Sequence, residues 1–395
     1  MKKQFVTRTR IFSFMVPACM DGMIALAQTA LPLVAIRFGA TPWFLGMLGW
    51  VAQGVRLPCT IGSGLLSEKI GRTRLIIPAA ILGAMACAGF AVARNNTQLL
   101  VCYAVMAAGV GLFYPAVQAF IGDHSPRGEL RKNLSFFNAG WTTGASVCAL
   151  ATGLLLATAR FLPFAVASLL AFVTIPLVLI WSRTKVTPAP AVVEEAAIAP
   201  AADGPGPLLF IARMGHFLGF FGFTMWRLQF PKLATDMHMP EQTIAVLTAM
   251  LLVGQALGIL VSSVGPWWRG KLWPQMLAMS MLLGSGLIVF AVRSPLLFGL
   301  AFLIQGTGLG IAYTGALYYG LQARTNMGRN TGLHEALVTS GNILGSLTGG
   351  LTAQFISLRA PYVTYSILCL LAILVSLVWW TTNSRTREGG HSPSH

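Results

Sequence analysis

The chain has 395 residues, of which 55% are hydrophobic and only 10% charged, with a formal net charge of +16 and a mean hydropathy of +0.70. A soluble domain carries about 25% charged residues, and no globular core could absorb so much apolar sequence. The composition excludes a soluble enzyme and predicts an all-α polytopic membrane protein.

Windows of about 20 residues, the length that crosses a bilayer as a helix, mark twelve apolar segments. They cover 11–36, 43–66, 75–93, 98–121, 133–157, 161–181, 208–230, 243–264, 273–291, 296–320, 330–356 and 361–381. Lys and Arg alternate sharply between the connecting stretches. One side collects Lys2, Lys3, Arg8, Arg10, Lys69, Arg72, Arg74, Arg127, Arg131, Lys132, Arg183, Lys185, Arg269, Lys271, Arg324, Arg329, Arg385 and Arg387. The other holds Arg37, Arg94, Arg160, Lys232, Arg293 and Arg359. The positive-inside rule puts the first side, and both termini, in the cytoplasm of a plasma (inner) membrane protein. The positive charge is then topology, and nucleic acid is not an expected partner. The N-terminus opens like a signal peptide, but its apolar run is too long and lacks a small-x-small cleavage site, so it reads as a retained first helix. Cys19, Cys59, Cys87, Cys102, Cys148 and Cys369 all fall inside apolar segments without paired spacing. They are expected to be small apolar residues, not disulfides or metal ligands.

In the first segment Pro17, Asp21, Gln28 and Pro32 follow at helical spacing and make one stripe. A carboxylate at mid-bilayer costs about 2.5–3.5 kcal/mol on insertion scales, so Asp21 is a functional candidate by default. Gln53, Arg56, Thr60 and Ser63 make a second stripe in the next segment, with Arg56 at comparable depth. A pair, or a wet cavity facing both charges, would make each tolerable. Asp21 and Arg56 are therefore expected to interact across the first two helices.

The stretch after the second segment reads GLLSEKIGRTR (64–74). It resembles the signature of the major facilitator superfamily: Gly64, an acid at 68, Lys69, Gly71, Arg72 and Arg74, between helices two and three. Glu68 stands where that family usually has Asp. The resemblance implies twelve transmembrane helices arranged as two pseudo-symmetric six-helix bundles. It also implies a cytoplasmic gate, in which the acid caps a helix of the other half and the bases pair with an acid at the foot of helix four, here Asp123. Other signatures of the family are absent. No basic residue lies near Val105 in the fourth segment, and the fifth keeps only Gly140-Trp-Thr-Thr-Gly144-Ala145. The second-half loop, GPWWRGK (265–271), lacks the acid.

Beyond Trp181 the chain loses its apolar period and becomes rich in Pro and Ala, as a flexible linker would. The expected domains are residues 1–181, a cytoplasmic linker 182–207, residues 208–384, and a tail 385–395. The halves echo each other. Asn133–Gly153 aligns with Asn330–Gly350 at an offset of 197. Gly109, Gly111, Tyr114 and Pro32 match Gly308, Gly310, Tyr313 and Pro231 at 199. An internal duplication of this kind places a transport site between the halves. In the seventh segment Arg213, His216, Phe220, Phe223 and Arg227 share a face, with Arg213 close enough to the end to snorkel. In the eleventh, Glu335, Thr339, Asn342 and Ser346 form a polar face beside His334, and Glu335 aligns with Asn138. The glycine series 140/144 and 341/345/349 read as packing ridges or sliding surfaces. Trp50, Trp141 and Trp226 are further cavity candidates.

No GxSxG, HExxH, P-loop or Cys–His arrangement occurs, so no enzyme activity, cofactor or metal is expected. The reading is a monomeric secondary transporter moving a small organic solute by alternating access. Asp21, Glu335 and His334 are its proton-coupling candidates, since carboxylates in such places can titrate near physiological pH. Arg56, Gln28, Gln53, Asn138, Trp141, His216, Arg227 and Asn342 are its cavity candidates. The resemblance slightly favours export, since several proton-driven exporters of that family carry an acid in the first helix. The alternatives are an organic-anion carrier without proton coupling, built on the arginines and histidines, or a lipid flippase.

Overall fold

No group in a bilayer core can hydrogen-bond an exposed backbone amide, so apolar segments must satisfy their own N–H and C=O groups as helices. The computed structural model describes residues 2–125, 129–183, 206–322 and 327–388. Among them run twelve helices: α1 (Lys2–Arg37), α2 (Pro42–Ile70), α3 (Thr73–Val92), α4 (Asn96–Asp123), α5 (Leu130–Thr158), α6 (Leu162–Ser182), α7 (Pro207–Asp236), α8 (Glu241–Ser263), α9 (Trp273–Ala291), α10 (Pro295–Gln322), α11 (Met327–Phe355) and α12 (Ala360–Glu388). Ten are long and apolar enough to cross a membrane; among the described residues α2 and α11 fall short of that hydropathy. Arg56 and Gln53 in α2, and His334, Glu335 and Asn342 in α11, lower the average. The apolar outer faces, with Leu154 and Leu296 standing exposed, suit contact with lipid.

Helix ends follow local chemistry. The Thr41 hydroxyl accepts from the Phe44 N–H at 3.2 Å, with Pro42 opening α2, and the Asn95 side chain accepts from the Gln98 N–H at 2.9 Å. Both are ordinary N-caps. α12 runs past the expected boundary at 384 to Glu388, with the Asn383 amide donating back to the Trp379 carbonyl at 2.8 Å. Most of the expected linker (184–205) and of the expected tail (389–395), and with them Lys185, as well as Arg127 and Arg324, lie outside the described residues.

The first six helices form one bundle and the last six the other, built alike. In the first, a Cβ at Gly140 or Gly144 of α5 would run into the Phe14 or Ala18 carbonyl of α1. In the second, a Cβ at Gly341 or Gly345 of α11 would run into the Phe217 or Phe221 carbonyl of α7. Small residues at intervals of four allow backbones this close, so these ridges pack helices within each bundle. The repeated loops agree as well. Gly71 and Gly270 both hold positive φ, at 96° and 70°, a conformation that favours glycine, and they too are 199 residues apart.

The bundles meet at the end away from the Lys- and Arg-rich loops. There a Cβ at Gly46 of α2 would strike Ser346 and Gly350 of α11, and one at Gly153 of α5 would strike Gln242 of α8. The Arg37 Nε donates to Glu241 Oε1 at 2.7 Å, and Nη2 closes the fork on the second oxygen. Arg37 ends α1 and Glu241 begins α8, so both charges also suit their helix dipoles. The Gln229 amide donates to the Pro42 carbonyl at 3.1 Å. At the basic end the polar links stay within one bundle. Arg10 donates to Glu129 at 2.6 Å, and this bond holds the Glu129 carboxyl below its usual range. Among the described residues, no hydrogen bond or ion pair joins the bundles there, so the molecule is closed at one end and open at the other.

Two outcomes follow from this packing. Gly144→Ala should destabilise by about 1–3 kcal/mol or more, because the neighbouring atom is backbone and cannot yield. Gly54→Ala, with open space around it, should be neutral or stabilising by about 0.5–1 kcal/mol; thermal unfolding of the purified variants compares the two. The Arg37–Glu241 pair is about a third exposed, and such pairs contribute about 0.2–1 kcal/mol. Glu241→Arg should therefore raise the population open at that end by a modest factor, about two- to fivefold. Adding Arg37→Glu should restore the closed form. Spin-label distances across that end read both effects, and unchanged distances in the single variant would remove the pair as a latch.

Candidate functional site

The polar stripes of α1, α2, α7 and α11 cannot face lipid without cost, and in the fold they turn toward the interface between the bundles. They enclose a cavity of about 430 Å³ to which both halves contribute. Asp21, Gln28, Gln53, Arg56, Asn138, Trp141, Arg227, Glu335 and Asn342 all line it.

The cavity is layered. Toward the open, basic end lie Glu335 and Asn138, both exposed, facing one space from the aligned helices α11 and α5. The Trp141 indole donates to Asn138 at 3.1 Å. At mid-depth the Tyr114 phenol of α4 neighbours the Asp21 carboxylate, which also lies within electrostatic reach of Arg56. The Arg56 guanidinium carbon sits 5.8 Å from the centre of the Tyr114 ring. The expected interaction of Asp21 with Arg56 across the first two helices is electrostatic and acts at a distance. Among the described residues no ion pair joins them; the charges are linked through Tyr114, and Asp21 Oδ2 is buried without a partner. Nearest the closed end, Arg227 Nη1 donates to Gln28 Oε1 at 2.8 Å, and the Thr224 hydroxyl bonds the Asn342 side chain. Gln53 Oε1 is another buried acceptor without a partner.

His216, expected in the cavity, does not line it, and neither does His334. The two rings are fully or nearly buried and stack at 4.2 Å between α7 and α11, with Tyr313 at 5.2 Å from His334. None of their four ring nitrogens has a hydrogen-bond partner. His216 shares a helical face with Phe220, Phe223 and Arg227, which do line the cavity, but α11 covers its end of that face. Arg213 also lies away from the cavity. It donates to Asn330 at 2.9 Å and borders an outward groove of about 700 Å³ beside Trp379. Trp226 is a core residue, packed edge-on against Phe302 and Tyr362, and Trp50 is not among the lining residues.

In the loop signature, Arg72 Nε reaches Asp123 Oδ2 at 3.3 Å and its Nη1 donates to the Ser67 hydroxyl at 2.6 Å. Lys69, Arg74 and Glu68 are exposed, and Gly64 has open space around it. The cap that Glu68 was expected to place on the other half is not made among the described residues, because the bundles are apart at this end.

Sequence reasoning passed over Tyr103, Gln118, Thr224 and Gln255 as lining residues. It noted Tyr114 and Tyr313 only as repeat matches, although both line the cavity. The signal was present: a polar residue repeated at one offset in a duplicated chain marks the same wall in each half.

Comparison with known proteins agrees with this architecture. Residues 13–326 match the sequence profile of the Major Facilitator Superfamily. A probable 4-methylmuconolactone transporter of Cupriavidus pinatubonensis (strain JMP 134 / LMG 1197) is 31% identical over 129 residues, which are 32% of this chain and 30% of that protein. The fold is similar to that of a bacterial homologue of the human lysosomal transporter Spinster in its inward-facing, occupied conformation. The TM-score is 0.70 at 15% identity, over 96% of this chain and 97% of that one. The nucleoside transporter NupG (D323A mutant) superposes with a TM-score of 0.72 at 10% identity, over 95% and 99% of the two chains. The POT family transporter PepTSo gives 0.74 at 12%, over 96% and 98%. With two six-helix bundles around a shared cavity and a profile match over most of its length, the chain belongs to the Major Facilitator Superfamily.

Proposed function

We propose that the protein is a secondary active transporter that carries a small organic solute through the central cavity by alternating access, with protons moving through Asp21. One observation carries the reading: a polar cavity built by both bundles is closed at one end by cross-bundle contacts and open at the other. A path of this kind needs only the rocking of one bundle on the other to change the side it faces. The positive-inside rule makes the open end cytoplasmic, so this conformation faces inward in the plasma (inner) membrane, with both termini inside. The Glu68 arm of the loop signature, unengaged here while Arg72 holds Asp123, would cap the other half in the opposite state. The whole path lies within one chain, which supports a monomer as the working unit.

Proton coupling is supported by Asp21, whose second oxygen is buried without a partner, and by Glu335 at the mouth. Asp21, half-buried, and Glu335, exposed at the mouth, are carboxylates without ion pairs inside membrane-spanning helices, the groups from which such chemistry is built. Nothing in the cavity favours export over uptake, and the gradients of solute and proton would set the direction. The name of the curated relative supports a small lactone as the first solute to try.

The test is transport in proteoliposomes with labelled 4-methylmuconolactone alongside small organic acids and amines. At one proton per solute, one pH unit across the membrane can drive about tenfold accumulation. Asp21→Asn is expected to retain solute exchange at equal pH and to lose that accumulation. If Asp21→Asn and Glu335→Gln both accumulate as wild type does, proton coupling through these groups is wrong.

A further inference from the structure

Gln28 and Arg227 occupy equivalent places in the two halves. They lie the same number of residues before the ends of α1 (Arg37) and α7 (Asp236), and their offset equals that of Pro32 and Pro231. Their bond, 2.8 Å from Nη1 to Oε1, therefore crosses from one bundle to the other near the closed end of the cavity. Arg227 is only 6% exposed. Its Nη2 has no hydrogen-bond partner, and among the described residues no carboxylate lies within ion-pair distance of it. The Phe223 ring, 5.1 Å from the guanidinium carbon, offsets part of the lost hydration. The Tyr103 phenol also lies within electrostatic reach of Arg227 and beside Gln28, but neutral polar groups and one ring are poor compensation for a buried cation, which ordinarily demands an anion. Neither cavity acid supplies it. Asp21 sits with Tyr114 and Arg56, and Glu335 lies toward the mouth.

We propose that the missing anion is the solute's own: a small, ring-bearing organic anion docks its carboxylate on Arg227 and displaces Gln28 to do so. The inference rests on the transporter reading above and names the solute class for that same cavity. A guanidinium presents two parallel N–H donors to a carboxylate but only one to an amide oxygen, so the solute is the better partner. Phe220, Phe223 and Trp141 line the same cavity and provide an apolar wall for a ring. Because Gln28 and Arg227 belong to different bundles, docking removes a cross-bundle bond. Gln28 is thus a competitor that the solute must displace, and the displacement loosens the closed end.

The experiment uses benzoate, benzamide and benzylamine, three probes of one shape and different charge, with affinities read from thermal unfolding of the purified full-length protein. Benzoate should stabilise the wild type and the other two should not. Arg227→Lys keeps the charge but loses the planar fork and should weaken benzoate about tenfold. Gln28→Met removes the competing acceptor and should tighten benzoate about three- to tenfold. If Arg227→Lys does not fold, Gln28→Met decides alone. The proposal is overturned if benzylamine is preferred, if benzoate leaves the wild type unmoved, if benzoate binding ignores both substitutions, or if Gln28→Met weakens it. Counterflow in proteoliposomes separates this failure from that of the transporter reading. Exchange of benzamide or benzylamine that survives Arg227→Lys removes the anion site and keeps the carrier. The expected benzoate binding pattern without exchange of any probe keeps the anion site and removes the carrier.

Discussion

A bilayer offers no partner to an exposed polar group, and most of this structure follows from that constraint. Backbone amides are satisfied inside helices, and the charged side chains of the loops stay at the ends. The polar residues that remain inside the membrane-spanning segments have one low-energy place to go, a shared interior. Asp21, Arg56, Arg227 and Glu335 reach it from four different helices. The same constraint explains why α2 and α11, among the described residues, fall short of the hydropathy of a membrane span: each carries a polar face into that interior.

Close approach of helices then determines what can move. Within each bundle, glycines let carbonyls and Cα atoms meet, and a side chain there would have no room. Contacts of that kind make the two bundles rigid bodies. Between the bundles the links gather at the closed end: close glycine contacts of α2 on α11 and of α5 on α8, with the Arg37–Glu241 fork, the Gln229–Pro42 bond and the Gln28–Arg227 bond. They hold one end shut and leave the other apart.

Inside the cavity, charge is distributed without being neutralised. Among the described residues, the ion pairs lie at the two ends of the molecule: Arg37 with Glu241 at the closed end, and Arg10, Arg72 and Lys132 with Glu129 or Asp123 at the basic end. The interior acids and bases remain apart, linked through Tyr114 or a glutamine. A permanent salt bridge there would satisfy both charges and leave nothing for a solute or a proton to do. The unpaired arrangement is costly to folding and useful to binding, which is why it belongs at a site.

How much of this was legible in the residues divides cleanly by range. Helical periodicity is local, so the stripe of Asp21 and Gln28, the stripe of Arg56, and the polar face of Glu335 and Asn342 could be read directly, as could the alternating charge and the duplicated halves. Which helix lies against a given face is not local. His216 has the spacing of a cavity residue, yet α11 covers it and His334 stacks on it; Arg56 has the depth of a partner for Asp21, yet Tyr114 from α4 stands with both. The sequence by itself determined the membrane environment, the twelve helices, the two-fold plan and the polar faces, because each is set by hydrophobicity and spacing along the chain. Only the tertiary structure decided which polar residues meet, which end is closed, and that Arg227 lacks an anion, because those depend on distances between helices far apart in sequence.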